Sequence, residues 1–162
     1  MEKEELKRIV KAINRELDAL SEKSSEALVH AFYYDEWDDN DDDEDSATFV
    51  YENFIENISK TMEKHGFKGW DCVDVLGEGD DFSWKYGQTL TYRNDYDLYV
   101  DVVTDVSGSF SSLLHACARI YRVYSYDYDD EDNVIVHFAY KVEGEVLIDC
   151  SDELIDELSD EI

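Results

Sequence analysis

FSWKYGQTLTYRNDYDLYVDVVT, running from Phe82 to Thr104, alternates large side chains with small or polar ones in two runs. In the first run Phe82, Trp84, Tyr86, Gln88, Leu90 and Tyr92 interleave with Ser83, Lys85, Gly87, Thr89 and Thr91. In the second, Tyr96, Leu98, Val100 and Val102 share one side, and Asp95, Asp97, Tyr99 and Asp101 the other. A period of two belongs to a half-buried strand. Arg93-Asn94-Asp95 between the runs has turn chemistry, so the pair reads as an antiparallel hairpin.

The flanking segments keep the other period. Leu6, Ile9, Val10, Ile13, Leu17 and Leu20 recur at steps of three and four, and Leu28, Val29 and Phe32 extend that helical stripe. Ser46 is placed to cap a second helix carrying Phe49, Tyr51, Phe54, Ile55, Ile58 and Met62, which stops at His65-Gly66. Trp70 to Leu76 reads as a strand before the hairpin. After Gly108-Ser109, the residues Phe110, Leu113, Leu114, Cys117, Ile120, Tyr121 and Tyr124 fit one face of a third helix. Asn133 to Val142 alternates again, Glu143-Gly144 makes a tight turn, and Glu145 to Cys150 returns. Ser151 opens a short last helix with Leu154, Ile155 and Leu158 inward. The expected order is ααβββαββα: one α+β domain over residues 1–162, its mainly antiparallel sheet packed with helices and an acidic loop at about 35–45.

Charge narrows the function. The 162 residues hold 42 Asp and Glu against 14 Lys and Arg, for a formal net charge of −28. Solubility of a small domain needs only about 2–8 charges, and the excess repels itself. Aromatics at 14% argue against a disordered acidic tail. The acids are clustered: Asp35 to Asp45 holds nine and no base, and further runs lie at Asp127 to Asp132 and along the final helix. Residues 1–34, by contrast, nearly balance. Such clustering suits a strongly basic partner, and the commonest strongly basic surfaces are those that hold nucleic acid.

Alternate carboxylates on a strand lie roughly 6.5–7 Å apart, a spacing of the same order as phosphates along one nucleic-acid strand. Asp95, Asp97, Asp101 and Asp105 form such a row in the sequence, with Tyr99 among them. Each pair repels by only about 0.6 kcal/mol in water, so the strain is collective and is relieved by arriving Arg and Lys. Charge reversal at Asp97 and Asp101 is then expected to weaken partner binding without unfolding the domain. Aromatics punctuate the other acidic runs: Asp35, Glu36, Trp37 and Asp38, and Tyr126, Asp127, Tyr128, Asp129, Asp130, Glu131 and Asp132. Tyr and Trp stack on guanidinium planes, and carboxylates take Arg bidentately.

In charge, size and Asp/Glu/Tyr-rich surfaces the chain resembles the acidic DNA-mimic inhibitors that phages and mobile elements make, the anti-CRISPR and antirestriction proteins. That class shares no one fold, so no residue role carries over. The resemblance implies a cytoplasmic, stoichiometric inhibitor that fills the DNA-binding cleft of a CRISPR effector or restriction enzyme and binds no nucleic acid itself. An acidic immunity or chaperone-like protein for a basic toxin or histone-like protein has the same composition.

A calcium-binding protein is the alternative from another class. Asp41, Asp43, Asp45 and Glu52 fall on positions one, three, five and twelve of an EF-hand-like loop, although Ser46 stands where that loop needs Gly. Cys72, Cys117 and Cys150 form no Cys-x-x-Cys, and the histidines have no paired zinc spacing. Cys117 with His137 is the only nucleophile pairing in view, and nothing in the sequence orients it. Arg119 and Arg122 are expected to anchor internal carboxylates. No enzyme activity, cofactor, metal or membrane span is expected.

Overall fold

The computed structural model describes residues 2–33, 43–70, 84–108 and 115–161. Helices α1 (Lys3–Tyr33) and α2 (Asp43–Lys64) precede six strands: β1 (Lys68–Trp70), β2 (Trp84–Arg93), β3 (Tyr99–Gly108), β4 (His115–Tyr128), β5 (Val134–Glu143) and β6 (Val146–Asp149). Helix α3 (Ser151–Glu161) follows. The strands form one antiparallel sheet in chain order, β1 to β6. The α+β class is as the sequence implies. Among the described residues β2 and β3 form the expected hairpin, paired from Trp84↔Gly108 to Arg93↔Tyr99, although its loop spans 94–98 rather than the expected Arg93-Asn94-Asp95 turn.

Three elements differ. The strand before the hairpin is Lys68–Trp70, and residues 71–76 of the expected one lie outside the described residues. Helix α2 starts at Asp43, so Ser46 lies within it rather than capping it. The third helix is a strand: the one expected after Gly108 is β4 from His115 onward, and residues 109–114 lie outside the described residues. Asp101 pairs with Arg122 but Val102 pairs with Ile120, so Tyr121 is an extra residue bulged out of β4. Below the bulge Ala116, Ala118 and Ile120 face the helices; above it Val123 does. That phase change turns a period of two into a local step of three, which imitates a helix.

The main core lies between α1, α2 and one face of the sheet. Leu6, Val10, Ile13 and Leu17 from α1 and Tyr51, Phe54, Ile58 and Met62 from α2 cover Leu90, Tyr92, Val100, Val102, Ile120 and Val123. Each such side chain contributes roughly 1.5–3 kcal/mol by leaving water. Phe49 falls outside the buried stripe of α2 and is exposed. Gly66 closes α2 at φ +89, with Gly66 N–H donating to Glu63 O (3.0 Å) and Phe67 N–H to Met62 O (2.9 Å). Gly144 makes the β5–β6 turn at φ +61.

Glu16 on α1 accepts hydrogen bonds from Lys64 and His65 at the end of α2. Lys64 first, then His65, holds its carboxyl below the ordinary value of 4.5. A folded pKa below the unfolded one adds stability above about 4.5, which is lost as pH falls through the lower folded value. Glu16→Gln is expected to cost about 1 kcal/mol or less at pH 7, since the pair is partly exposed and screened. Thermal melts of both proteins should show that gap closing below pH 4.5.

β5 pairs only with the Arg122–Tyr128 half of β4. The other half is a strand edge, and α1 covers it with polar side chains. Ile120 N–H donates to Asn14 Oδ1 (2.8 Å), Ala118 N–H to Ser21 Oγ (3.0 Å) and Ala116 N–H to Ser25 Oγ (2.9 Å). Alternate amides that would otherwise recruit another strand are thereby satisfied.

Helix α3 packs on the opposite face. Leu154 and Leu158 join Tyr99, Tyr124 and Ala139 in a second buried cluster, with Tyr126 and Val136 at its margin. Ser151 does more than cap this helix: its Oγ accepts from Ala139 N–H (2.9 Å), fixing α3 to β5.

Candidate functional site

Three acidic segments, the two hairpin tips after β2 and β4 and the helix α3, lie toward one end of the sheet. β2 and β4 both run toward that end, so the β2–β3 and β4–β5 hairpin tips both lie there, the second projecting farther because β4 runs on from Tyr124 to Tyr128. The two tips are built alike. In the first, Asn94 Oδ1 accepts from Tyr96 N–H (3.0 Å) and Leu98 N–H (2.9 Å), and Asp97 stands at φ 58. In the second, Asp129 Oδ1 accepts from Glu131 N–H and Asn133 N–H (both 2.9 Å), and Asp132 stands at φ 62. These side-chain bonds replace missing backbone partners and hold each loop in one shape. The bonds from Asn133 also hold the Asp129 carboxyl below its ordinary range.

An Asp-Tyr-Asp tripeptide occurs at both tips but at different positions. Asp95-Tyr96-Asp97 lies in the first loop, whereas Asp127 and Tyr128 still pair within β4 and Glu131 holds the loop position of Tyr96. Asp95-Tyr96-Asp97 exposes Tyr96 at 85%, and Asp127-Tyr128-Asp129 exposes Tyr128 at 45%. An exposed tyrosine ring offers a guanidinium a flat face, and carboxylates nearby offer it acceptors. Asp130, Glu131 and Asp132 add exposed charge beside the second. Helix α3 contributes Asp152, Glu153 and Asp156, exposed above the Leu154 and Leu158 anchors.

Behind the tips stands a tyrosine stack. Tyr99 lies 4.7 Å from Tyr126 and 5.4 Å from Tyr124, and Tyr128 meets Tyr126 edge-on at 5.8 Å. The Arg93 guanidinium sits 5.5 Å from the Tyr99 ring and Arg122 the same distance from Tyr124. Burial pushes the Tyr124 and Tyr126 hydroxyls well above their ordinary range, so both remain neutral donors. Arg93 also bonds Asp97, tying the stack to the first tip.

The row of four aspartates is not a surface ladder. Asp95 and Asp97 belong to the tip, and β3 begins only at Tyr99. Asp101 is 0% exposed: it pairs with Arg122 and accepts from Thr91 Oγ1 (2.8 Å) and Tyr124 OH (3.2 Å). Burial raises its pKa, and the charge and hydrogen bonds of Arg122 oppose that rise. Arg122 Nη1 also lies 3.5 Å from Glu157 of α3. Asp101 and Tyr99 are therefore buried beneath the surface rather than exposed on it, and Asp105 is half-buried on β3. The expectation of an internal carboxylate holds for Arg122; Arg119 instead meets Asp18 at 3.4 Å on the exposed surface.

Asp35, Glu36, Trp37 and Asp38 lie outside the described residues. Of the EF-hand-like positions, Asp41 lies outside the described residues, and Asp43, Asp45 and Glu52 are helical within α2 rather than in a loop. Among the described residues no group of three or more His, Cys, Asp or Glu side chains is placed to hold a metal ion. Cys117 pairs across to Asp105, whereas His137 lies beside the Ser125/Tyr126 irregularity, roughly 25–30 Å along the strand. Burial raises the Cys117 thiol pKa, the opposite of an activated nucleophile. No helix among the described residues is long and apolar enough to cross a membrane.

The sequence reading overlooked Tyr96 as an exposed group and the pairing of the two tips. The available signal was the matching turn pattern, Asn94-Asp95 with Asp97 and Asp129-Asp130 with Asp132. The chain matches no family model, no curated protein and no solved structure. Its function must therefore be argued from these residues alone.

Proposed function

We propose that the chain is a stoichiometric inhibitor that mimics the charge of DNA. Its target is a cationic DNA-binding cleft, of the kind found in a CRISPR effector or restriction enzyme. One observation carries the reading: two hairpin tips with the same side-chain-bonded loop, each bearing carboxylates and an exposed tyrosine, lie at one end of the sheet with the acidic face of α3. Anionic groups steer the encounter over a Debye length of about 8 Å. The exposed tyrosines then anchor Arg side chains that normally hold phosphates. Tips fixed by their own side-chain hydrogen bonds lose little entropy on docking.

The test is competition on a panel of purified CRISPR effectors and restriction enzymes, with labelled DNA as the rival ligand. The protein should displace DNA from one of them at a one-to-one ratio and show no affinity for DNA itself. Its association rate should fall about tenfold or more between low and near-molar salt. A partner bound equally well with its DNA cleft already occupied would overturn the proposal.

A further inference from the structure

Helix α1 carries Lys3, Lys7, Lys11 and Arg15 at four-residue spacing. Like charges at that spacing are neighbours on a helix and destabilise it. In a chain with 14 basic residues against 42 acidic ones, four cations on one edge of one helix call for a cause. Lys3 has one in the Tyr140 ring, 5.6 Å from its Nζ. The other three line a cleft of about 400 Å³, joined there by Arg119 from β4.

The cleft lies where β5 stops pairing with β4 and α1 takes over the strand edge. Val10, Ile120, Val142 and Leu147 form its floor and Tyr121, the bulged residue, stands in its wall. Lys11 meets Glu145 at 3.3 Å and Arg119 meets Asp18 at 3.4 Å. Lys7 and Arg15 have no ion-pair partner among the described residues. The lining is thus net cationic in a molecule of net charge −28. It sits roughly 15 Å along the sheet from the first tip and roughly 25 Å from the second, and it stands independently of the partner proposed for them.

We infer that this cleft binds a small phosphate-bearing organic anion. The phosphates lie on Lys7, Lys11, Arg15 and Arg119, and the body of the ligand lies on Tyr121 and the aliphatic floor. The volume falls within the range of roughly 300–1,000 Å³ usual for small-molecule sites. The two ion pairs at the rim are exposed and weak, so phosphate oxygens replace the carboxylates readily. A nucleic-acid strand does not fit: its length would bring it against the surrounding negative surface, whereas a small anion is screened from that surface within a Debye length of about 8 Å.

Calorimetric titration of the full chain, at low salt and without divalent cations, tests this with pyrophosphate and ATP as probes. Both should saturate one site, with dissociation constants of about a millimolar or below. ATP should bind several-fold more tightly because its base and sugar use the floor. The K7Q/R15Q variant should lose about tenfold or more in affinity for either while keeping its melting temperature, since both side chains are exposed. The tip variant D97N/D132N should bind as the unaltered chain does. Failure of both probes to saturate, or undiminished binding by folded K7Q/R15Q, overturns the inference. So does a low-salt dimer in sedimentation velocity that K7Q/R15Q abolishes, because the cleft would then hold the acidic surface of a second copy.

Discussion

Asp101→Asn is expected to lower the free energy of unfolding by roughly 3–5 kcal/mol, because it strands the Arg122 charge in a buried site. At about 2–4 °C per kcal/mol for a domain of this size, the melting temperature should fall by about 10 °C. Thr91 and Tyr124 keep their donors but lose a charged acceptor. Glu157 offers Arg122 only a distant, largely exposed carboxylate. Replacing both partners by apolar residues of similar volume, as in D101V/R122M, should restore most of the loss, since an uncharged pair has no desolvation penalty to offset. Urea unfolding of the three proteins measures the difference. A shift under about 1 kcal/mol for Asp101→Asn would mean that the carboxylate is not confined as described. Charge reversal at Asp101 therefore tests the fold, whereas Asp97 tests the surface.

The second large effect concerns the tips. Replacing Tyr96 and Tyr128 together by Ala is expected to weaken the complex with the target about 10²-fold or more, chiefly through faster dissociation, as loss of two anchoring aromatics does. Neutralising Asp95, Asp130 and Glu131 instead should chiefly slow association and flatten its salt dependence. Both sets are exposed, so melting temperatures should hold or rise as self-repulsion falls. Surface plasmon resonance at several salt concentrations separates the two. Normal binding by both variants would place the contact elsewhere on the molecule.

Much of this architecture can be read from patterning. The α1 and α2 stripes, the Gly66 stop, the β2–β3 hairpin and the Gly144 turn follow from periodicity and turn chemistry, which are local. β4 escapes such reading because its fate is set by distant partners. Its bulge at Tyr121 shifts the inward phase, and its lower half is closed by α1 rather than by a strand. Asp101 escapes for a related reason. Alternation identifies the side of β3 on which it points, but only Arg122, across the sheet, shows that this side is closed. The tips were legible as acidic and aromatic runs. Their shared end of the sheet was not, because it requires β4 to be a strand.

The hydrogen bonds from α1 to β4 join residues 91 to 106 positions apart. On a ribosome adding about 5–20 residues per second, α1 emerges roughly 5–20 s before the amides that Asn14, Ser21 and Ser25 serve. Throughout that interval its oily stripe has only α2 for shelter. Nascent chains of this protein should therefore depend on holdase chaperones until translation has passed His115.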